Sequence, residues 1–198
     1  MDIGVKYKYY PVIQRDTDFY TQPTSAISRL IIDIVKTEYP VHVEDLVLRV
    51  KQCWGFKKAG KPIRSKIEMA LEAAYRSADI ILKDNFLYFK DANKCPLDFP
   101  IRKRDYPDSA QNPLYIPKEE YIAASVLILK EYGDLSEDGL IKKVSLLFGF
   151  KRLGSQLNAY ISSAIQDAVK KSLIQKSDTN TYFYAAYDHY LFRDSSKQ

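Results

Sequence analysis

The chain has 198 residues, a net charge of +5 and a pI near 9.0, and 46% of its residues are hydrophobic. This length fits one large or two small globular domains, and the composition is ordinary for such domains. There is no apolar run of the roughly 20 residues that a membrane span needs, no secretory signal follows Met1, and Cys53 and Cys95 make no disulfide framework. We therefore expect a cytoplasmic protein with no membrane partner.

Residues 1–22 form an aromatic arm without helical periodicity, and residues 23–89 then read as a compact unit. Apolar spacing predicts two helices, a third helix that begins near Pro62, and a closing hairpin. Gly55 is placed to end the second helix in a left-handed conformation, with Phe56 folded back onto the core. The predicted elements are the helices Ser25–Thr37 and Val43–Trp54 and the strands Ile80–Leu82 and Phe86–Phe89.

Residues 23–89 reappear without a gap at 117–183, shifted by 94 positions, and 16 of the 67 paired residues are identical. A match of this length indicates duplication of one folding unit. We call the two ranges the first and second repeat. The linker 90–116 is rich in proline and contains a basic cluster at 102–104, and a tail covers 184–198. The second repeat is predicted to hold helices near Lys118–Tyr132, Glu137–Phe148 and Gln156–Leu173, with Ser155 as a capping residue.

This order predicts a mainly α fold with small β-hairpins, of the α+β class. Three helices followed by a hairpin is the order of a winged helix, so we expect tandem winged-helix (helix-turn-helix) units. Gly55 and Gly149 should then occupy equivalent left-handed positions.

Two stretches of the sequence resemble a known family. In the first repeat the stretch consists of residues 38–42 and 54–64. In the second repeat it consists of residues 147–155, with residues 115–117 earlier in the chain. They resemble an uncharacterised domain at the C-terminal end of very large bacterial proteins that join a superfamily-1 helicase to a nuclease of the very-short-patch-repair type. The resemblance covers most of residues 18–183. It implies machinery of DNA processing or anti-phage defence, with helicase and nuclease domains of a larger parent protein as partners. It implies no catalytic activity for this domain.

Residues suited to catalysis or cofactor binding have simpler structural interpretations. Residues 55–61 spell the start of a P-loop, but Pro62 stands where a Ser or Thr would hold Mg²⁺ and a helix precedes it. His42 is expected to cap a helix, Cys53 to be a small buried residue, and His189 has no partner of zinc-site spacing. The acidic pairs 44–45, 119–120 and 137–138 are expected to complement helix dipoles. We therefore predict no enzymatic activity, no metal, no cofactor and no small-molecule substrate.

Basic residues before and within the third helix of each repeat indicate contact with a nucleic acid, with duplex DNA favoured. The predicted contact residues are Lys57, Lys58, Lys61, Arg64, Lys66, Lys151, Arg152, Ser155, Ser162, Gln166 and Lys170. Glu68 and Glu72 lie on the outer face of the third helix in the first repeat and would oppose its insertion into a groove. The outer face of the second repeat's third helix has no acid of its own, so that repeat should lie closer to DNA. The alternative is a protein-docking module, with Glu68 and Glu72 on the docking face.

Overall fold

The computed structural model describes residues 5–77, 80–89, 99–103 and 112–185. None of the helices in these ranges combines the length and the apolar character that crossing a bilayer requires. Several features named above lie outside the described residues: Cys95, Arg104, His189, most of the linker 90–116 and the tail beyond residue 185.

The first repeat contains three helices and a three-stranded antiparallel sheet of order β2-β4-β3. A two-residue strand, β1, precedes it in the arm. The bounds are β1 Val5–Lys6, α1 Thr24–Glu38, β2 Val41–His42, α2 Val43–Gln52, α3 Lys61–Ser77, β3 Ile80–Lys83 and β4 Phe86–Phe89. The second helix is thus two residues shorter than predicted, and β2 was not predicted at all. This short strand extends the predicted hairpin to a three-stranded sheet.

The second repeat has the same element order and the same sheet order, β6-β8-β7. The short strand β5, Arg102–Lys103, and a 3-10 turn at Pro113–Tyr115 precede it. The bounds are α4 Lys118–Tyr132, β6 Leu135–Ser136, α5 Glu137–Leu147, α6 Ser155–Lys170, β7 Ile174–Lys176 and β8 Thr181–Tyr184. The described residues therefore contain six α-helices and small antiparallel sheets, which confirms the predicted α+β class.

The two hairpins differ by one residue, which corrects the ungapped match of the repeats. In the first, Lys83 pairs with Phe86 across a two-residue turn. In the second, the Ser177 N–H donates to the Thr181 carbonyl at 2.8 Å, which leaves three residues in the turn. Tyr88 and Phe89 therefore do not correspond to Tyr182 and Phe183 in the structure, although the sequences match there.

Each repeat has its own apolar core. The helical spacing in α1 and α3 places their buried faces against each other, and the same holds for α4 and α6. The first core includes Ile27, Ile31, Ile34, Leu46, Val50, Ile67 and Leu87. The second includes Tyr121, Leu129, Leu140, Val144, Phe148, Ile161 and Ile165.

Arg102 joins the two repeats through a buried polar network. It lies on β5, which pairs in parallel with β1 of the arm. Its guanidinium donates to the Glu38 carbonyl at 2.7 Å and the Pro40 carbonyl at 3.0 Å in the first repeat. In the second repeat, its Nε donates to the Glu120 carboxylate at 2.7 Å. Arg102 is only 6% exposed. Within the basic cluster 102–104, Arg102 is therefore buried and unavailable to a polyanionic partner.

A second buried network joins the end of α1 to α2. Glu38 and Asp45 are both buried, and Arg49 lies between them at 3.2 and 3.3 Å. Burial outweighs the nearby Arg49 charge, so the pKa of Glu38 is raised above its ordinary value. Asp45 and Glu120 lie in the first turns of α2 and α4, the position at which acids were expected to complement helix dipoles. Both are also members of buried ion pairs: Arg49 lies one helical turn from Asp45, and tertiary packing brings Arg102 to Glu120.

Candidate nucleic-acid interface

The turn between α2 and α3, residues 55–60, is called the first basic turn. Gly55 ends α2 with φ +66°, a left-handed conformation that favours glycine. The Gly55 N–H donates to the Gln52 carbonyl at 3.0 Å, and the Phe56 N–H to the Lys51 carbonyl at 3.1 Å. This pair of bonds is a Schellman cap. It packs Phe56 against the core and leaves Lys57 and Lys58 exposed.

The second basic turn, residues 149–154, repeats this geometry. Gly149 has φ +82°, so both glycines are left-handed, as predicted. The Gly149 N–H donates to the Leu146 carbonyl at 3.0 Å, and the Phe150 N–H to the Ser145 carbonyl at 3.1 Å. Phe150 is buried, while Lys151 and Arg152 are exposed. The same cap therefore presents a pair of cations to solvent at corresponding positions.

The helices that follow the basic turns start without acidic residues. Neither α3 nor α6 has an acid in its first turn. In contrast, α2 begins with Glu44 and Asp45, and α5 with Glu137 and Asp138. The positive end of the helix dipole attracts anions. At α2 and α5 this end has its own carboxylates, whereas at α3 and α6 it faces the basic turns.

The structure corrects the predicted cap of α6. Gly154 is the capping residue, its carbonyl accepts the Asn158 N–H at 3.0 Å, and it offers no side-chain cap. Ser155 is the first helical residue rather than the cap. An open depression of about 520 Å³ lies here, and Lys151, Arg152, Gly154 and Gln156 are among its lining residues. In the first repeat, Lys61 begins α3 and is exposed.

Two of the predicted cations of the first repeat make contacts within the chain. Arg64 donates from both terminal nitrogens to the two Glu44 carboxylate oxygens, each at 2.8 Å. This paired hydrogen bond holds the pKa of Glu44 below its ordinary value. The Lys66 ammonium donates to the Tyr20 carbonyl. The exposed cations of the first repeat's interface are therefore mainly Lys57, Lys58 and Lys61.

The outer face of α6 contains one difference from expectation. Ser162 was expected to be exposed, but it is half-buried and donates to the Glu137 carboxylate at 2.8 Å. Glu137 of α5 thus brings a carboxylate to the outer face of α6, although that face has no acid of its own. Gln166 is exposed, and the exposed Lys170 ammonium lies 3.6 Å from Asp167.

On α3 the two predicted acids, Glu68 and Glu72, are exposed. Met69 lies between them in the chain and is 54% exposed, which is high for a large apolar side chain. This outer face therefore combines negative charge with an apolar side chain.

A cavity of about 510 Å³ lies between the repeats, and its charges balance. Its lining includes three lysines and three acids: Lys83, Lys118, Lys171, Asp84, Glu119 and Asp167. Lys118 donates to Asp167 at 2.9 Å, and Lys83 lies 3.6 Å from Glu119. These pairs leave no excess positive charge for a phosphate.

Among the described residues, no three His, Cys, Asp or Glu side chains are grouped as metal ligands. His42 caps α2 by accepting the Glu44 N–H at 3.1 Å, as predicted.

Sequence reasoning missed the role of the N-terminal arm at the first basic turn. The Arg15 N–H donates to the Cys53 carbonyl at 2.8 Å, and the Arg15 guanidinium lies 5.2 Å from the centre of the Trp54 ring. Phe19 packs edge-on against Trp54 and Phe56, with ring centres 5.0 and 5.5 Å apart. The aromatic residues of the arm could have indicated that it packs on the first repeat. Their partners lie more than 30 positions away, so no local pattern identified them.

One family model matches the chain, over residues 17–65, and is described as a protein of unknown function (DUF3320). The matched segment runs from the end of the arm through the first basic turn into α3. It supports the resemblance to an uncharacterised domain and says nothing about a helicase or a nuclease. Comparison with curated proteins and with solved structures gives no match.

Proposed function

We propose that this chain is a non-catalytic DNA-binding module whose two basic turns contact phosphates of the backbone. The observation that carries the proposal is the duplicated turn. The same glycine cap, followed by an exposed pair of cations and then by a helix start without acids, occurs in both repeats. An exposed cation pair on one turn is common. Its repetition at a helix start favours a shared anionic ligand over chance solvation.

The element order supports a winged-helix interpretation of each repeat. A helix, a short strand, two helices and two further strands, with the first strand beside the last, is the order expected for that fold. In helix-turn-helix proteins, the helix after the turn faces the DNA. Under this interpretation, α3 and α6 are the helices that approach DNA, and the basic turns lie at their leading ends.

We expect backbone contact rather than sequence reading. Glu68 and Glu72 on α3 would repel the phosphates that line a groove, so the first repeat should use its turn and helix start. On α6, Gln166 and Lys170 are exposed, which favours closer approach by the second repeat. Ser162 should contribute less to DNA contact than its position on α6 suggested, because its hydroxyl already donates a hydrogen bond to Glu137.

The test is the salt dependence of binding to a fluorescent 20-base-pair duplex, measured by anisotropy. Lys57→Ala with Lys58→Ala should weaken binding at low salt and lower the slope of log K against log salt by about 0.9 for each phosphate that the variant no longer neutralises. Lys151→Ala with Arg152→Ala should do the same. The matched control is Lys36→Ala with Lys142→Ala, which removes the same charge from exposed positions on α1 and α5. Equal slopes for the control and both turn variants would refute phosphate contact by the turns.

The resemblance to the C-terminal domain of helicase and nuclease proteins gives this module a proposed setting. It would position DNA for those activities in a larger cytoplasmic parent protein, for DNA processing or anti-phage defence. No residue of the described structure is assigned a catalytic step.

The outer face of α3 favours a second candidate, a protein-docking module. An exposed apolar side chain between two acids in the chain suits contact with a protein better than contact with phosphates. Glu68→Gln with Glu72→Gln should raise DNA affinity if those acids only repel phosphate. It should instead impair association with helicase or nuclease domains, and leave DNA affinity unchanged, if the face binds protein.

A further inference from the structure

The first basic turn is bordered by an aromatic cluster with an exposed ring. The cluster consists of Phe19, Tyr20, Trp54 and Phe56. Tyr20 meets Phe19 edge-on, with ring centres 5.6 Å apart, and lies 6.4 Å from the Phe56 ring. It is nevertheless 54% exposed. Its neighbours therefore hold the ring in place while more than half of the side chain faces solvent.

Cations surround this cluster. The Arg15 guanidinium lies over Trp54, and the Lys66 ammonium lies 5.6 Å from the centre of the Phe19 ring. Lys57 and Lys58 follow Phe56 directly and are exposed. Two exposed acids, Asp16 and Asp18, belong to the same stretch of the arm, and Asp18 accepts the Tyr20 N–H at 3.1 Å. The Asp18 carboxylate thus fixes the backbone beneath Tyr20, and the cations exceed the acids.

The second basic turn offers a different surface. Its side chains exposed beside the cations are aliphatic: Leu146 is 60% exposed and Leu153 43% exposed. Phe150, the counterpart of Phe56, is buried. Of the two basic turns, only the first is thus bordered by an exposed aromatic ring among the described residues.

We propose that the first repeat binds a single-stranded segment of nucleic acid, with a base stacked on Tyr20 and the flanking phosphates on Arg15, Lys57 and Lys58. Single-stranded binding uses this combination of an aromatic ring and a cationic track, because every base offers a face for stacking. The acids on the outer face of α3 oppose insertion of that helix into a duplex groove but not the passage of a strand along its end. With the second repeat on duplex, the chain would recognise a junction between duplex and single strand, whereas on a blunt duplex the first basic turn contacts phosphates with no base on Tyr20. This inference rests on the proposed function and names the nucleic-acid structure that each repeat takes.

The experiment uses Trp54, the single tryptophan of the chain, as a reporter inside the cluster. Titration with a twelve-nucleotide oligothymidylate should quench its fluorescence. Tyr20→Leu keeps an apolar side chain against Phe19 and Phe56 but removes the ring, and should weaken oligothymidylate binding about five- to tenfold. Tyr20→Phe should retain binding. The matched control is Tyr132→Leu, which removes a tyrosine of similar exposure, 55%, at the end of α4.

Tyr20→Leu should bind a blunt duplex with unchanged affinity. The wild-type chain should bind a duplex with a single-stranded overhang more tightly than a blunt duplex, and Tyr20→Leu should bind the two with equal affinity. Equal oligothymidylate affinities for Tyr20→Leu and Tyr132→Leu would overturn the inference. So would a wild-type chain that binds duplex but not oligothymidylate, although the proposed function would stand. A chain that binds neither nucleic acid would overturn the proposed function, and this inference with it.

Discussion

Replacement of Arg102 by methionine tests whether the buried network holds the two repeats together. Methionine fills similar space but donates no hydrogen bond. The change leaves the Glu120 carboxylate, which is 0% exposed, without its charged partner. It also removes the donors to the Glu38 and Pro40 carbonyls. The guanidinium further lies over the Tyr7 ring, 4.7 Å from its centre, and methionine does not replace this cation–π interaction.

The expected loss of stability is about 4 kcal/mol. Removal of one partner from a buried ion pair costs about 3–5 kcal/mol, because the other charge stays buried. Two buried carbonyls that lose donors add to this cost, at about 1 kcal/mol or more each. Relaxation and water entry offset part of the sum. The pair Arg102→Met with Glu120→Met removes both charges, so the double variant should be more stable than Arg102→Met alone.

Urea denaturation followed by two probes measures this effect. Trp54 fluorescence reports the first repeat and far-ultraviolet circular dichroism reports both. Wild-type curves should coincide, whereas the Arg102→Met curves should separate, because the charged link between the repeats is gone. The exposed Lys58→Met is the control. A loss below about 1 kcal/mol, with coincident curves, would refute the reasoning that the buried pair couples the repeats.

Two further predictions concern the basic turns and their neighbours. Gly149→Ala should destabilise the chain by about 1 kcal/mol in urea denaturation, because nothing lies within 4 Å of an added Cβ and the cost comes from the left-handed backbone alone. Gly149→Asn should cost less, since asparagine tolerates that conformation, and equal costs would contradict this explanation. Arg64→Gln should raise the lowered pKa of Glu44 toward its ordinary value in an NMR titration. A lowered pKa in the folded state stabilises above the unfolded value of about 4.3, and that stability is lost as pH falls through the folded pKa. Solvent screens this half-exposed pair, so the effect should be a few tenths of a kcal/mol. An unchanged Glu44 pKa in Arg64→Gln would show that Arg64 is not its cause.

The sequence predicted helix bounds and helix caps correctly where they depend on residues close together in the chain. Apolar spacing placed α4 at its observed bounds, and the Gly-Phe pairs predicted both left-handed caps, since such a cap depends on residues adjacent in the chain. The short strands β2 and β6 were missed because two residues carry no periodicity. The hairpin correspondence was wrong by one residue, since sequence identity at a Tyr-Phe pair does not fix the turn length that sets strand register.

The sequence by itself revealed the internal repeat, through the match of residues 23–89 with 117–183, and it determined the α+β class and the two basic turns, which follow from residues close together in the chain. The tertiary structure alone decided which charges are available to a ligand. No local pattern showed that Arg102, Asp45 and Glu120 are buried, and folding places each beside a partner distant in sequence or on the next helical turn. Likewise, Tyr20 meets Phe56 only because the arm crosses the first basic turn. Ion pairing and ring contacts depend on distances of a few ångströms between segments, and a single sequence does not encode those distances in any local pattern.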